Sequence, residues 1–373
     1  MTPWRNPGIR YHVIFGTLEI DSPYLWGKDC RAKPLVDEMG VSHQGRSMAV
    51  ERALSDFGIE ESFGQAAKRF KEHYGYEIDS STIRRVTHEN ARQAQVFVEE
   101  RLRDAGDHYG DARCAAPAEH LLIELDGCEI RTAELHPIEG STETTPVREN
   151  PKKKKAIRWR EVRIGLARPL DSVSKLYVGQ MEQYPAVVED LFCASVLQGM
   201  TETTRVVAVA DGGNGLREEL EAQFHNIQFI LDKTHLKDHL YETAEELGIS
   251  REQRPGWVQP RLEAISNGKV AEVKAELEEQ LRISPNERLR RLIGYLKRFI
   301  DAVNYGDFKA QGFPIGSGEV ESAHKSIPQK RLKIPGASWH PDSINPVVAL
   351  RVLRANNWWK DYWEKRSDER LAA

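Results

Sequence analysis

The chain has 373 residues, of which 40% are hydrophobic and 29% charged, and a formal net charge of −4. This is the composition of an ordinary globular protein long enough for two or three domains, and it does not announce a nucleic-acid binder. No apolar run approaches the roughly 20 residues of a membrane helix, and residues 1–10 lack the apolar segment of a signal peptide. The four scattered cysteines, Cys30, Cys114, Cys128 and Cys193, form no C-x-x-C pair. That argues against a zinc ribbon or a disulfide framework and for a reducing, cytoplasmic compartment.

Taken in order, residues 11–20 read as two short strands around Gly16, ended by Asp21-Ser22-Pro23. Residues 1–43 are therefore expected to form a small β element, and its abrupt start leaves room for further sequence upstream. Residues 44–105 read as helical, and 44–115 as a helical domain with its linker. Ser62 with Gln65 makes a capping box, and Phe63, Ala66, Ala67 and Phe70 follow on one helical face. Gly75 ends that helix. Asp79 or Ser80 caps a second one, with Ile83 and Val86 inward and Arg84, Arg85 and His88 on other faces. Two short helices joined by a glycine turn, the second basic, predict a helix-turn-helix, although many helical hairpins bind no DNA.

Residues 116–373 form the expected second domain. Strands are predicted over 120–126, 128–133, 159–167, 205–211 and 227–231, and helices over 183–198 and 214–224. The first three strands are consecutive and suit an antiparallel meander, while the last two alternate with helices. The fold class is therefore α/β (α+β), with a mixed sheet flanked by helices. An all-helical insertion is expected at about 236–312, with amphipathic helices over 270–282 and 289–300. The tryptophan-rich 343–366 is also read as helical.

Two apolar runs end in aspartate and glycine, at Asp126-Gly127 and Asp211-Gly212-Gly213, and Gly316-Ser317-Gly318-Glu319-Val320-Glu321 comes later. Asp-Gly is a common turn. Two such sites at predicted strand ends, joined to a late carboxylate, suit a divalent-metal centre for phosphoryl chemistry. Glu319 and Glu321 are two residues apart and point in different directions on a helix, and Glu319 is the one placed to serve the helix dipole. His235 and His239 have the i, i+4 spacing of a zinc pair, but no third ligand stands near them. His235 is expected instead at the edge of the active site, with His239 packing in its helix. Gly212-Gly213-Asn214-Gly215 allows close backbone approach to a phosphate. It is not a P-loop, and nothing else in the chain calls for a nucleotide cofactor. Between Pro146 and Pro169 nine basic residues, among them Lys152, Lys153, Lys154, Lys155, Arg158 and Arg160, face only Glu149 and Glu161. A solvated loop is the plain reading of such a run. Its continuation into a strand beside Asp126 favours phosphate contact.

These motifs, in this order, resemble the DDE transposases of bacterial insertion sequences, specifically the Kra-type group, whose catalytic core is similar to that of Mutator-like transposases. The resemblance rests on Asp126-Gly127, on Asp211-Gly212-Gly213-Asn214-Gly215, on Asp232-x-x-His235, on the helical stretch 235–305, and on Pro314-Ile315-Gly316-Ser317-Gly318-x-Val320-Glu321. It implies a ribonuclease-H-like sheet, two Mg²⁺ (or Mn²⁺) ions on Asp126, Asp211 and Glu321, and Glu321 rather than Glu319 as the third carboxylate. It also implies DNA contacts through Lys325, Lys330, Arg331 and Lys333. The partners would be double-stranded DNA, both element ends and target, and further copies of the chain on that DNA, in a nucleoid-associated bacterial setting. Cys30 lacks the partner cysteines that related transposases carry. The rival readings are a ribonuclease-H-like nuclease or resolvase, and a decayed transposase that only binds DNA.

Overall fold

The computed structural model describes residues 2–3, 8–21, 25–26, 31–32, 45–110, 116–137 and 153–372. Lys152, Cys30 and Cys114 lie outside them. Among the described residues no helix is long and apolar enough to cross a membrane. The chain divides into two compact units, one of residues 1–100, 130–160 and 327–373, the other of 101–129 and 161–326.

The first unit contains an antiparallel hairpin, β1 (Gly8–Val13) and β2 (Gly16–Asp21), in register from Gly8↔Asp21 to Val13↔Gly16. Gly16 takes φ +136° at the turn, a conformation that disfavours side chains. Three helices follow. In α1 (Met48–Glu60) and α2 (Phe63–Tyr74) the hydroxyls of Ser47 and Ser62 cap the N-termini by accepting from Val50 N and Gln65 N. Gly75 in the left-handed region ends α2. The third helix, α3 (Ser80–Asp107), runs on for 28 residues, so the predicted second short helix is only its first turns. Val50, Leu54, Phe57, Ala66, Phe70, Ile78, Ile83 and Val86 form the core these helices share. No distinct helix-turn-helix domain stands out from this unit. Residues 327–373 complete it: Arg331 Nε donates to Gly58 O at 2.8 Å, and Tyr362 Oη donates to Asn90 O at 3.0 Å.

The second unit holds most of a five-stranded mixed sheet. Its strands are β3 (His120–Pro137), of which residues 120–129 belong to this unit, β4 (Lys153–Pro169), of which residues 161–169 do, β5 (Leu176–Gln180), β6 (Arg205–Ala210) and β7 (Ile227–Leu231), in the spatial order β7-β6-β3-β4-β5. β3, β6 and β7 are parallel and β5 is antiparallel to β4. The first three strands in sequence neighbour one another and the last two add in parallel, an arrangement consistent with a ribonuclease-H-like core. Helices α4 (Tyr184–Leu197) and α5 (Leu216–Gln223) flank it. The interior strand β6 is buried at five of its six positions, which explains its unbroken apolar sequence. After β7 come α6 (Lys233–Glu246), α7 (Arg254–Ser266), α8 (Val270–Ile283), α9 (Glu287–Arg298) and α10 (Tyr305–Ala310). The expected all-helical stretch is thus present. α11 (Gly318–His324) follows it.

Two strand predictions need correction. The expected break at Asp126-Gly127 does not occur: β3 passes through it as one strand of 18 residues. Gly127 is not among the positive-φ glycines and makes no turn. Its missing side chain leaves room for the Glu161 carboxylate, which a Cβ there would strike. β5 was not anticipated, because its five residues LYVGQ show one buried position and little alternation.

Candidate active site

The carboxylates gather through the register of the parallel strands. Leu125 pairs with Ala210 and Ala210 with Leu231, so Asp126, Asp211 and Asp232 stand side by side one residue further on. Neighbouring strands lie about 4.8 Å apart. Asp126 is the first residue of β3 past its pairing with β6, at the carboxyl end of the parallel strands where open α/β sheets collect ligands.

These three aspartates have different surroundings. Asp126 accepts from Gly127 N at 2.7 Å. Its pKa is raised, chiefly by burial and further by the neighbouring Asp211 charge, against the opposing pull of His324, Gly127 N–H and His235. Asp211 is half-buried and accepts from Gly213 N at 3.0 Å. Gly212 beside it packs under the Tyr295 ring, which a Cβ would strike, so this glycine serves close packing. Asp232 is 1% exposed and has a structural task. It caps α6 by accepting from Thr234 N and His235 N, and it accepts from both the backbone N–H and the hydroxyl of Ser317. Burial alone would raise its pKa, but the hydrogen bonds from Ser317 and His235 prevail and hold it low.

α11 is docked on the sheet at its first turn. Glu124 is 2% exposed, and its Oε2 accepts from Val320 N at 2.8 Å while Oε1 has no partner. Burial, with the Glu319 charge adding, lifts its pKa to about 8. Glu319 is ion-paired with Arg168 at 2.8 Å and Lys175 at 2.7 Å. Glu321, two residues on, is exposed. His324 lies one turn beyond Glu321, buried, with Nε2 donating to Asp126 O at 3.1 Å and Nδ1 at 3.5 Å from Asp126 Oδ2. Residues three apart share a helix face, so Glu321 stands next to the histidine that touches Asp126.

The structure therefore brings Asp211, His235 and His324 within electrostatic reach of Asp126, with Glu321 on the same helix as His324. Among the described residues no group of three or more His, Cys, Asp or Glu side chains is arranged to hold a metal ion. His239 packs edge-on against Tyr295, and Arg288 hydrogen-bonds its Nδ1 at 3.1 Å. The basic candidates scatter. Lys154, Lys155 and Arg158 are exposed on β4, and Arg160 pairs with Glu134 at 3.6 Å. Lys325 and Lys333 are exposed, and Lys330 pairs with Glu60. Arg84 and Arg85 are exposed on α3, His88 is half-buried there, and Arg331 is buried. Sequence reasoning missed Glu124, His324 and Lys175, and it counted Arg168 only within the basic run, where the structure pairs it with Glu319. An acid inside an apolar run, and a histidine three residues after the favoured glutamate, were the available signals.

Comparisons with protein-family models and with curated protein sequences give no match. Among solved structures the chain has a distant similarity to transposases. To the Drosophila P element transposase strand transfer complex it shows 9% identity over 83% of this chain and 79% of that one, with a TM-score of 0.27. To the Mos1 transposase paired-end complex with left transposon end the values are 13%, 70%, 78% and 0.18. Likeness at this level carries no argument, and the functional reading rests on the sheet and its carboxylates.

Proposed function

We propose that the chain is a DNA transposase, which cuts DNA at the ends of a mobile element and joins the freed 3′-hydroxyl to target DNA. The register that sets Asp126 beside Asp211 on a ribonuclease-H-like sheet carries the reading. Two neighbouring carboxylates, one raised in pKa chiefly by burial and further by the other's charge, are the donor chemistry that a divalent cation relieves. Asp126 and Asp211 would hold Mg²⁺ or Mn²⁺, two ions in all, and Glu321 would be the third carboxylate. When bound, such ions polarise phosphoryl oxygens and stabilise the attacking and leaving oxygens. The protein's own groups supply position. Glu124 and Asp232 fix the start of α11, His324 ties that helix to Asp126, and His235 stands at the margin.

The finer reading follows the motif order: a Kra-type insertion-sequence enzyme of the bacterial cytoplasm, acting on double-stranded DNA. Joining two ends calls for more than one copy of the chain on that DNA. The test incubates purified protein and Mg²⁺ with labelled DNA flanking its gene. Joined products that vanish with Asp211→Ala support the proposal. Nicking without joining favours a ribonuclease-H-like nuclease, and binding without cleavage a decayed, DNA-binding chain.

A further inference from the structure

α11 has seven residues, too few for a helix that is stable by itself. Ser317 at its N-cap makes no side-chain capping bond to it, because the hydroxyl donates to Asp232 instead. Its neighbours therefore decide how the helix is turned. Asp232 and Glu124 hold the backbone N–H groups of Ser317 and Val320, which fixes where the helix starts. Rotation about its axis is set by side chains, and two of these reach out in roughly opposite directions. His324 meets Asp126. Glu319, five residues earlier and so about 140° round the helix, meets Arg168 and Lys175.

Both oxygens of Glu319 are engaged. Oε1 accepts from Arg168 Nε at 3.2 Å and from Nη2 at 2.8 Å. Oε2 accepts from Arg168 Nε at 3.1 Å and lies 2.7 Å from Lys175 Nζ. Arg168 is itself anchored, with Nη1 donating to the carbonyls of Pro169, Leu170 and Ser172, each at 3.0 Å. The guanidinium thus ties the turn after β4 to the first turn of α11. Glu321 lies two residues from Glu319, about 200° round the helix. The hold on Glu319 therefore turns Glu321 toward the side of His324 and Asp126.

We propose that Glu319, clamped by Arg168 and Lys175, is a positioning residue of the carboxylate centre: the clamp sets the rotation of α11 and with it the aim of Glu321. This role rests on the transposase reading of the site. Glu319 itself, neutralised between two cations, is not a ligand of the metal.

The test measures the single-turnover rate of nicking by excess full-length protein with Mg²⁺ and labelled DNA flanking its gene, which separates chemistry from binding. The variants are Glu319→Gln, Lys175→Gln and the two together, with the exposed Glu252→Gln as a control. Arg168 is kept, because it also holds its own turn. The Lys175 and Glu319 side chains are 27% and 28% exposed, so the variants are expected to keep the wild-type circular dichroism. Each single variant should slow nicking about ten- to a hundredfold, the effect of a small misplacement. The double variant should be no slower than the slower single, because the two act as one unit. Duplex affinity should stay within about twofold, and amide exchange in residues 319–324 should quicken in Glu319→Gln. Unslowed nicking or unchanged exchange in Glu319→Gln, losses that multiply in the double variant, or a loss confined to duplex affinity overturns the proposal. Lys175→Gln nicking at the wild-type rate while Glu319→Gln is inactive also overturns it, since that is the pattern of a Glu319 that binds metal. Wild-type protein that nicks nothing overturns the reading of the site and this role with it, whereas an active wild type with an indifferent Glu319→Gln overturns the clamp alone.

Discussion

At the scale of single residues, two positions in the second unit make sharp predictions. Gly212 is glycine because the Tyr295 ring occupies the space a Cβ would need. The ring is largely buried and cannot swing away freely, so Gly212→Ala should cost about 1–3 kcal/mol. It should also shift Asp211, seen as a lower midpoint in chemical denaturation together with weakened cleavage. Glu124 is the second. With its pKa lifted to about 8 by burial, above the ordinary carboxylate value, the folded state favours the neutral form. Its stabilising contribution is complete below the unfolded value near 4.5 and is lost as pH rises toward 8. Glu124→Gln keeps an oxygen for Val320 N–H and removes the titration. The stability of this variant should therefore decline less than wild type between pH 6 and pH 8.5, and parallel curves would refute the assignment.

At the scale of elements, the placement of α11 rests on two buried acids from different strands. Glu124 in β3 takes the Val320 N–H, and Asp232 after β7 takes the Ser317 N–H and hydroxyl. Asp232→Ala removes the cap of α6 and leaves Ser317 unpaired. It should cost about 2–4 kcal/mol by the usual worth of a cap plus buried unsatisfied donors. Asp232→Asn keeps some acceptors and should cost less. Because Asp232 has a lowered pKa, its contribution is present above pH 3.8 and fades as pH falls. Acid and alkali therefore loosen the α11 anchor through different residues.

At the scale of the whole molecule, DNA binding and DNA chemistry should separate by mutation. Asp126→Ala, Asp211→Ala and Glu321→Ala should each abolish strand joining while leaving duplex affinity within about twofold, since none of them supplies a phosphate-binding cation. Wild-type joining by any of the three would remove that residue from the proposal. The exposed cations of β4 should act in the opposite sense. Replacing Lys154, Lys155 and Arg158 together by Gln should lower the salt slope of duplex binding by about 3 and weaken affinity without regard to sequence.

Much of the secondary structure was legible because its causes are local. Ser62 accepts from Gln65 N as its capping box requires, Gly75 closes α2, and β7 falls at 227–231 as its apolar run predicts. Asp126-Gly127 misled because Asp-Gly is a turn signal only where the chain is free to turn. Here Gly127 stays extended under the Glu161 side chain, which arrives from a strand 34 residues away. The sequence could name Asp126 and Asp211 as acids of interest, because acids next to glycines end apolar runs in plain view, whereas the choice of Glu321 over Glu319 followed only from the family resemblance. Only tertiary structure decided that the first two lie side by side, since strand register is a long-range pairing. The same holds for Glu319, which Arg168 and Lys175 engage, and for Arg331, which lies between Phe63 and Trp339. Local pattern fixes which residues form an element, whereas burial, ion pairing and the convergence of side chains depend on neighbours that the chain brings together only when it folds.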